Sequence, residues 1–275
     1  MTEGRRLAIL LSMNDEINLS IRGGIATITV NRPKARNALN SFAQEEFAKA
    51  IDSLFSTQKL RIVIVTASGT KTFVSGGDLK ELALASDPSS GERLNRVMGS
   101  ALARLPKLPV PVIGAVNGDA IGGGCEILTA CDLRIAASRA RFRFAEVGMA
   151  LTTGWGGTAR LVHLIGLSRS LDLLLTGRSF DAQEALSIGF INRIAADDES
   201  VLDAAERWAS ELAALPREAL AAAKDLAWST TQMGMTEQLL HEKELFSQLW
   251  RQADNREAMN AFNEKRSPQF NQGNG

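Results

Sequence analysis

"AIGGGCEILTACDLRIAAS", residues 120–138, sets three consecutive glycines and one carboxylate, Glu126, at the head of an apolar run. Glycine loses more conformational freedom on folding than any other residue, so a triplet in front of a helical segment needs a reason. The run predicts a helix over about 122–131, and "PVPVIGAVNG" before it has the unbroken apolar character of a strand buried on both faces. Two short strands follow, in "LRIAAS" and "ARFRFAEVG". The central unit is thus strand, glycine turn, helix, strand.

The same order recurs outward from this point. "INLSIRGGIATITV", residues 17–30, alternates apolar and polar positions on both sides of Gly23-Gly24, which predicts a hairpin because two glycines supply the positive φ angles a tight turn needs. After the bend in "NRPKARNALN" comes a helical pattern, "SFAQEEFAKAIDSLFS", opened by Asn40 or Ser41 as N-cap. "RIVIVTAS" then predicts a buried strand, "GTKTFVSGGD" a glycine-rich loop, and residues 92–105 a helix. Repeated β-β-α units without sequence identity predict an α/β fold coiled into a spiral, with helices packed outside. From Glu199 to Lys265 only helical patterns remain, joined at "LPRE" and "TTQMG". The chain therefore divides into an N-terminal extension (1–15), a core (16–198) and a C-terminal helical region (199–275) whose apolar faces must pack on the core or on another subunit.

Composition removes several function classes. At 275 residues and 45% hydrophobic, the chain can bury a sizeable core. Its 31 basic and 31 acidic side chains cancel, so no global charge favours nucleic acid or an anionic membrane. Cys125 and Cys131 lie in one apolar segment with no histidine near them, which reads as two reduced, buried thiols and no metal site. The opening "MTEGRRLAILLSMNDE" is a poor secretory segment and too short to span a bilayer, so a cytoplasmic location is expected. Tyrosine is absent, and the histidines are His163 and His241 alone.

"NRPKARNALN", "TFVSGGDLKEL", "AVNGDAIGGGCEILTACDLRIAA", "FAEVGMALTTGWGGTARL" and "LFSQLWRQADNREAMNAFNEKRSPQF" together resemble the enoyl-CoA hydratase/isomerase, or crotonase, family, in order from about residue 17 to 270. The resemblance implies a crotonase-like spiral followed by a helical trimerisation region, with trimers often paired into hexamers. It also implies an acyl-CoA or enoyl-CoA thioester as substrate, with coenzyme A as part of that substrate and no separate cofactor.

Hydration of an α,β-unsaturated thioester passes through enolate-like charge on the thioester oxygen, which fixed backbone N–H donors stabilise at roughly 3 kcal/mol each. By resemblance, Gly77 in "SGGD" and Gly123 in "GGG" supply these donors. Gly123 has an independent case, since the first turn of a helix offers unpaired N–H groups and a positive dipole end. The addition also needs a carboxylate base and a carboxylic acid on one face of the double bond. Glu126 and Glu146 match the family positions for these roles. Taken singly, Glu126 could simply complement a helix dipole, and Glu146 could be a solvated loop acid. Their joint occurrence beside both glycine turns favours catalysis. For coenzyme A the resemblance implies Ala35, Arg36, Asp78, Leu79, Lys80 and Lys265, the lysines acting as mobile point charges.

Relatives perform several reactions on one oxyanion hole, so fold analogy cannot choose among them. Those that depend on a tyrosine are excluded, and those needing a histidine in the first glycine loop are disfavoured. The retained pair of acids favours an enoyl-CoA hydratase, with double-bond isomerisation or acyl-CoA decarboxylation as alternatives and a non-catalytic binding protein as the remaining one. Two departures bear on substrate. Trp155 stands where many hydratases have a small residue and is expected to meet substrate beside the acyl path. Gly77 stands where alanine is common. Residues 83–100 are expected to wall the acyl pocket.

Overall fold

Gly23 and Gly24 take φ angles of 58° and 83° and close the predicted hairpin between β2 (Ile17–Arg22) and β3 (Ile25–Val30). The computed structural model describes residues 9–13, 16–84, 87 and 89–270. Within the segment read as an extension, Ile9–Met13 forms β1, antiparallel to β2 with Met13 opposite Ile17. A five-residue apolar run suits an edge strand, so the core begins earlier in the chain than expected. The side chain of Asn40 then accepts from Ala43 N–H at 2.7 Å and starts α1 (Ser41–Leu54).

Three units follow, and each has the predicted β-β-α order. The first is β4 (Ile62–Ala67), β5 (Thr72–Val74), α2 (Leu79–Leu84) and α3 (Ser89–Arg104). The second is β6 (Val112–Val116), β7 (Asp119–Ile121) and α4 (Gly123–Ala130). The third is β8 (Leu133–Ala136), β9 (Arg141–Arg143), α5 (Gly157–Ile165) and α6 (Leu167–Thr176). β10 (Ser179–Asp181), α7 (Ala182–Ser187) and β11 (Arg193–Ile194) complete the core. Of residues 83–100, positions 85, 86 and 88 lie outside the described residues, and the rest of that stretch belongs largely to α2 and α3.

The spiral has a simple geometric content. β4, β6 and β8 lie side by side and parallel in a seven-stranded sheet of order β1-β2-β3-β4-β6-β8-β11. Their sequence partners β5, β7 and β9 lie side by side and parallel in a four-stranded sheet of order β10-β9-β7-β5. Each unit thus advances one place in both sheets. α4 is buried along its whole length between them: its Leu128 side chain reaches Gly114 on β6, and at Gly124 an added Cβ would overlap the Val74 carbonyl on β5. The fully buried Arg134 donates to the carbonyls of Leu128 (3.2 Å) and Cys131 (2.6 Å), which satisfies acceptors at the C-terminal end of α4 and complements its dipole.

The C-terminal region is all helix, as expected: α8 (Val201–Ala213), α9 (Arg217–Ser229), α10 (Met235–Trp250) and α11 (Ala253–Glu264). It is not one detached unit. α8 buries Val201, Ala205, Trp208 and Ala209 against the seven-stranded sheet, and so belongs to the core. α9 is tied down by Asp132, whose carboxylate meets Lys224 Nζ at 2.8 Å and accepts from Trp228 Nε1 at 2.6 Å. α10 buries no residue and α11 only Ala261, while Leu239, Leu240, Phe246, Trp250, Met259 and Phe262 face solvent. Among the described residues no helix is long and apolar enough to cross a membrane.

Candidate active site

The triplet is where the second unit turns from sheet into helix. Gly122 adopts φ 54° and ψ −119°, a combination open to glycine alone, and its N–H donates to Arg143 O across to β9 at 2.8 Å. Gly123 is the first residue of α4, so its N–H has no carbonyl four residues back within the helix. The second glycine turn arrives from the neighbouring unit. Leu39 N–H donates to Gly76 O (2.8 Å) and Asp78 N–H donates to Leu39 O (3.0 Å), a parallel bridge in which the N–H of the middle residue, Gly77, points away from Leu39. A Cβ on Gly76 would come 3.3 Å from Gly123 N, so the two glycine turns are in contact. The structure thus brings the turn that contains Gly77 against the start of α4 at Gly123.

Both acids join them. Glu126 lies in the first turn of α4 and is 2% exposed. Its Oε2 accepts from Trp155 N–H (2.7 Å) and Gly157 N–H (2.9 Å), and its Oε1 accepts from Gly154 N–H (3.2 Å). Glu146 opens a 3-10 turn after β9, and its Oε1 would be 3.5 Å from a Cβ on Gly122. Neither Glu146 oxygen has a hydrogen-bond partner among the described residues, although both are shielded from solvent.

Burial pushes both carboxyl pKa values up, and the two environments differ in what accompanies it. Burial raises the Glu126 pKa above the ordinary 4.5, against the opposing pull of the Gly157, Trp155 and Gly154 N–H groups and of the Arg160 charge. Those three donors and the nearby cation all favour the carboxylate. Glu146 is pushed up to about 7, first by burial and further by the Glu126 charge. Both pKa values are raised, but Glu126 has three N–H donors and a cation that favour its carboxylate, whereas Glu146 faces a negative neighbour, an asymmetry that suits a base and an acid working together.

The remaining expected residues are spread over several places. Asp78 pairs with Arg32 at 3.1 Å and accepts from Lys80 N–H at 3.1 Å, so it anchors the Gly77 turn to the 32–39 loop. Ala35 and Arg36 sit at the end of the 3-10 turn Pro33–Ala35, Arg36 in the left-handed region, while Leu79 and Lys80 are exposed at the start of α2 beside the Gly77 turn. Lys265 is exposed in the left-handed cap that ends α11, on the outlying arm. Trp155 is 3% exposed, with its ring against Gly123 rather than open to solvent.

Sequence reasoning missed several supporting residues. Asn37, buried, donates to Ser68 O (3.0 Å) and Thr72 O (2.8 Å) and accepts from Arg32 N–H (2.9 Å), which fixes the loop carrying Leu39. Asn95 on α3 donates to the Gly154 carbonyl, and Arg160 braces the 154–157 turn from α5. Two adjacent positive-φ residues, Arg36 and Asn37, do not announce themselves in a sequence, but an asparagine beside a proline bend is a recognisable turn signal. No group of three metal-ligating side chains occurs among the described residues.

A family model described as enoyl-CoA hydratase/isomerase matches residues 20–273. The short-chain-enoyl-CoA hydratase of Clostridium acetobutylicum is 37% identical over 256 residues, which is 93% of this chain and 97% of that protein. The crotonyl-CoA hydratase of Syntrophomonas wolfei is 35% identical over 247 residues, 90% of this chain and 94% of that one. The crystal structure of enoyl-CoA hydratase from Bacillus anthracis superposes with a TM-score of 0.87 at 32% identity, covering 93% of this chain and 98% of that one.

Proposed function

Because the chain belongs to the enoyl-CoA hydratase/isomerase family, we propose that it is an enoyl-CoA hydratase, adding water syn across the C2=C3 bond of an enoyl-CoA thioester. The observation that carries this reading is the unlike pair of acids, Glu126 buried and Glu146 half-buried with both carboxylate oxygens shielded, beside the two glycine turns. Gly77 and Gly123 donate their N–H groups to the thioester oxygen. Glu126, ionised, takes a proton from water as the water oxygen bonds to C3. The C2=C3 electrons move onto the thioester as an enolate, and its charge rests on the oxygen that the two N–H groups hold. Glu146, neutral, then gives its proton to C2 as the carbonyl re-forms. The substrate gains one H and one OH, and a proton passed from Glu126 to Glu146 resets the pair.

Double-bond migration is the second reading, since Glu146 alone could carry a proton from C2 to C4. The three N–H donors that fix the Glu126 carboxylate in place have no part in that reaction, which favours hydration.

Coenzyme A, part of the substrate, is assigned to the half-buried Ala35 and the exposed Arg36, Leu79 and Lys80, with Lys265 reaching a phosphate; no further cofactor is required by this chemistry. The exposed apolar residues of α10 and α11 are assigned to packing against other copies, in a trimer or a pair of trimers. Neutral net charge agrees with an acyl-CoA enzyme of the cytoplasm acting in fatty acid metabolism without nucleic-acid or membrane partners.

Purified protein given crotonyl-CoA and longer enoyl-CoAs should yield products 18 daltons heavier. Glu126→Gln and Glu146→Gln should each lower kcat by about 10²- to 10⁴-fold. Double-bond migration, or loss of carbon dioxide from a malonyl-type thioester, with no hydration of any enoyl-CoA, would overturn the assignment.

A further inference from the structure

Trp155 meets both halves of the site. Its backbone N–H donates to Glu126 Oε2 at 2.7 Å. Its carbonyl accepts from Arg160 Nη2 at 2.6 Å, while Arg160 Nε donates to Thr129 Oγ1 at 3.1 Å. Thr129 in turn donates to the Glu126 carbonyl at 2.7 Å, which closes a ring of contacts around the first turns of α4. The indole points the other way. A Cβ added to Gly123 would overlap ring atoms Cζ3 and Cη2 and lie 2.7 Å from Cε3, so the six-membered edge fills the place a side chain on Gly123 would occupy.

We infer that Trp155 is a positioning residue that clamps the oxyanion donor Gly123 and the carboxylate of Glu126 into one rigid unit. Three glycines let a thioester approach the backbone, but they leave the donor N–H without side chains to fix its direction. A donor is effective only when already aimed at the oxygen that gains charge. The indole returns to Gly123 the packing that the missing side chain would have supplied, and the same residue's N–H sets the distance from donor to base. The ring is 3% exposed and packs directly on Gly123, as support for the donor requires.

The kinetic part of the inference rests on the hydratase reading, so the test has a second readout that needs no turnover. Trp155→Phe and Trp155→Leu are compared with Trp208→Phe, a core indole stacked with Arg193 on α8. Kinetics on crotonyl-CoA are measured alongside the infrared carbonyl stretch of a bound saturated acyl-CoA. Trp155→Leu should lower kcat by about 10²-fold with KM within about threefold, and Trp155→Phe by roughly tenfold. In both, the carbonyl band should move back toward its free-solution frequency, whereas Trp208→Phe should lower Tm with kcat and carbonyl band unchanged. Should Trp155→Leu fail to fold, the phenylalanine variant decides alone. Unchanged kcat on crotonyl-CoA with new acceptance of longer acyl chains would overturn the clamp in favour of an acyl wall. An unshifted carbonyl band in the folded variants would overturn it in favour of plain core packing. A wild-type protein that polarises a bound thioester without hydrating any enoyl-CoA defeats the hydratase reading alone, and one that binds no thioester defeats both.

Discussion

Glu126 and Glu146 are the same residue type, and their surroundings make them different reagents. Glu146, with its pKa pushed up to about 7 by burial and by the Glu126 charge, must hold a proton when substrate arrives. As pH rises through about 7 that proton is lost, so kcat/KM should fall there, while ionisation of Glu126 sets the acid limb. In Glu146→Gln the alkaline limb near 7 should vanish from the residual activity; a limb that persists would assign it to another group. The same shift acts on stability. The unfolded carboxyl titrates near 4.5 and the folded one near 7, so the folded state binds more protons between these values and loses stability as pH rises through them. Glu146→Gln should remove that slope. The positions of both acids were legible beside the glycine turns, but their unlike surroundings were not, since the donors to Glu126 come from residues 154, 155 and 157. Asp78 likewise carried a family role in sequence, and only the fold reveals its pairing with Arg32.

The elements legible in sequence were those with length and period: the Gly-Gly hairpin, the wholly buried β4, and α1 with its asparagine cap. Of the second sheet only β9 was legible, in "ARFRFAEVG"; β5, β7 and β10 are three residues each, too short to display an alternation. β5 in particular lies inside what reads as a glycine-rich loop. Tertiary contact also decides where the helical region begins to belong to the core. Lys224 is buried and its pKa is lowered by desolvation, with Asp132 opposing, so the pair fastens α9 to the sheet by a desolvated charge contact. Lys224→Met leaves the Asp132 carboxylate without its cation and should destabilise the fold by about 3 kcal/mol, read from the urea midpoint. A loss near zero would mean that the bonds from Val112 N–H (2.7 Å) and Trp228 Nε1 (2.6 Å) satisfy Asp132 unaided.

For the molecule as a whole, the distribution of apolar surface is uneven. α8 spends its apolar face on the seven-stranded sheet, while α10 and α11 leave Phe246, Trp250 and Phe262 exposed, Phe262 at 81%. An arm of this kind needs a partner surface, and by the proposal above the partner is another copy. Sedimentation equilibrium should give three or six times the chain mass, and Phe246→Asp should reduce it; a wild-type protein that sediments as a single chain would dismiss the assembly. The helical character of this region was legible from period alone, whereas the division between core helix and arm depends on which faces find the sheet. The catalytic helix has one further property. Cys125 and Cys131 bracket the turn that carries Glu126, both thiols are buried, and burial raises their pKa values, Cys131 to about 12. A thiol reagent therefore reaches them only when α4 itself opens, so the chain carries a native clock: the labelling rate of its own cysteines times the rare excursions in which the active site comes apart.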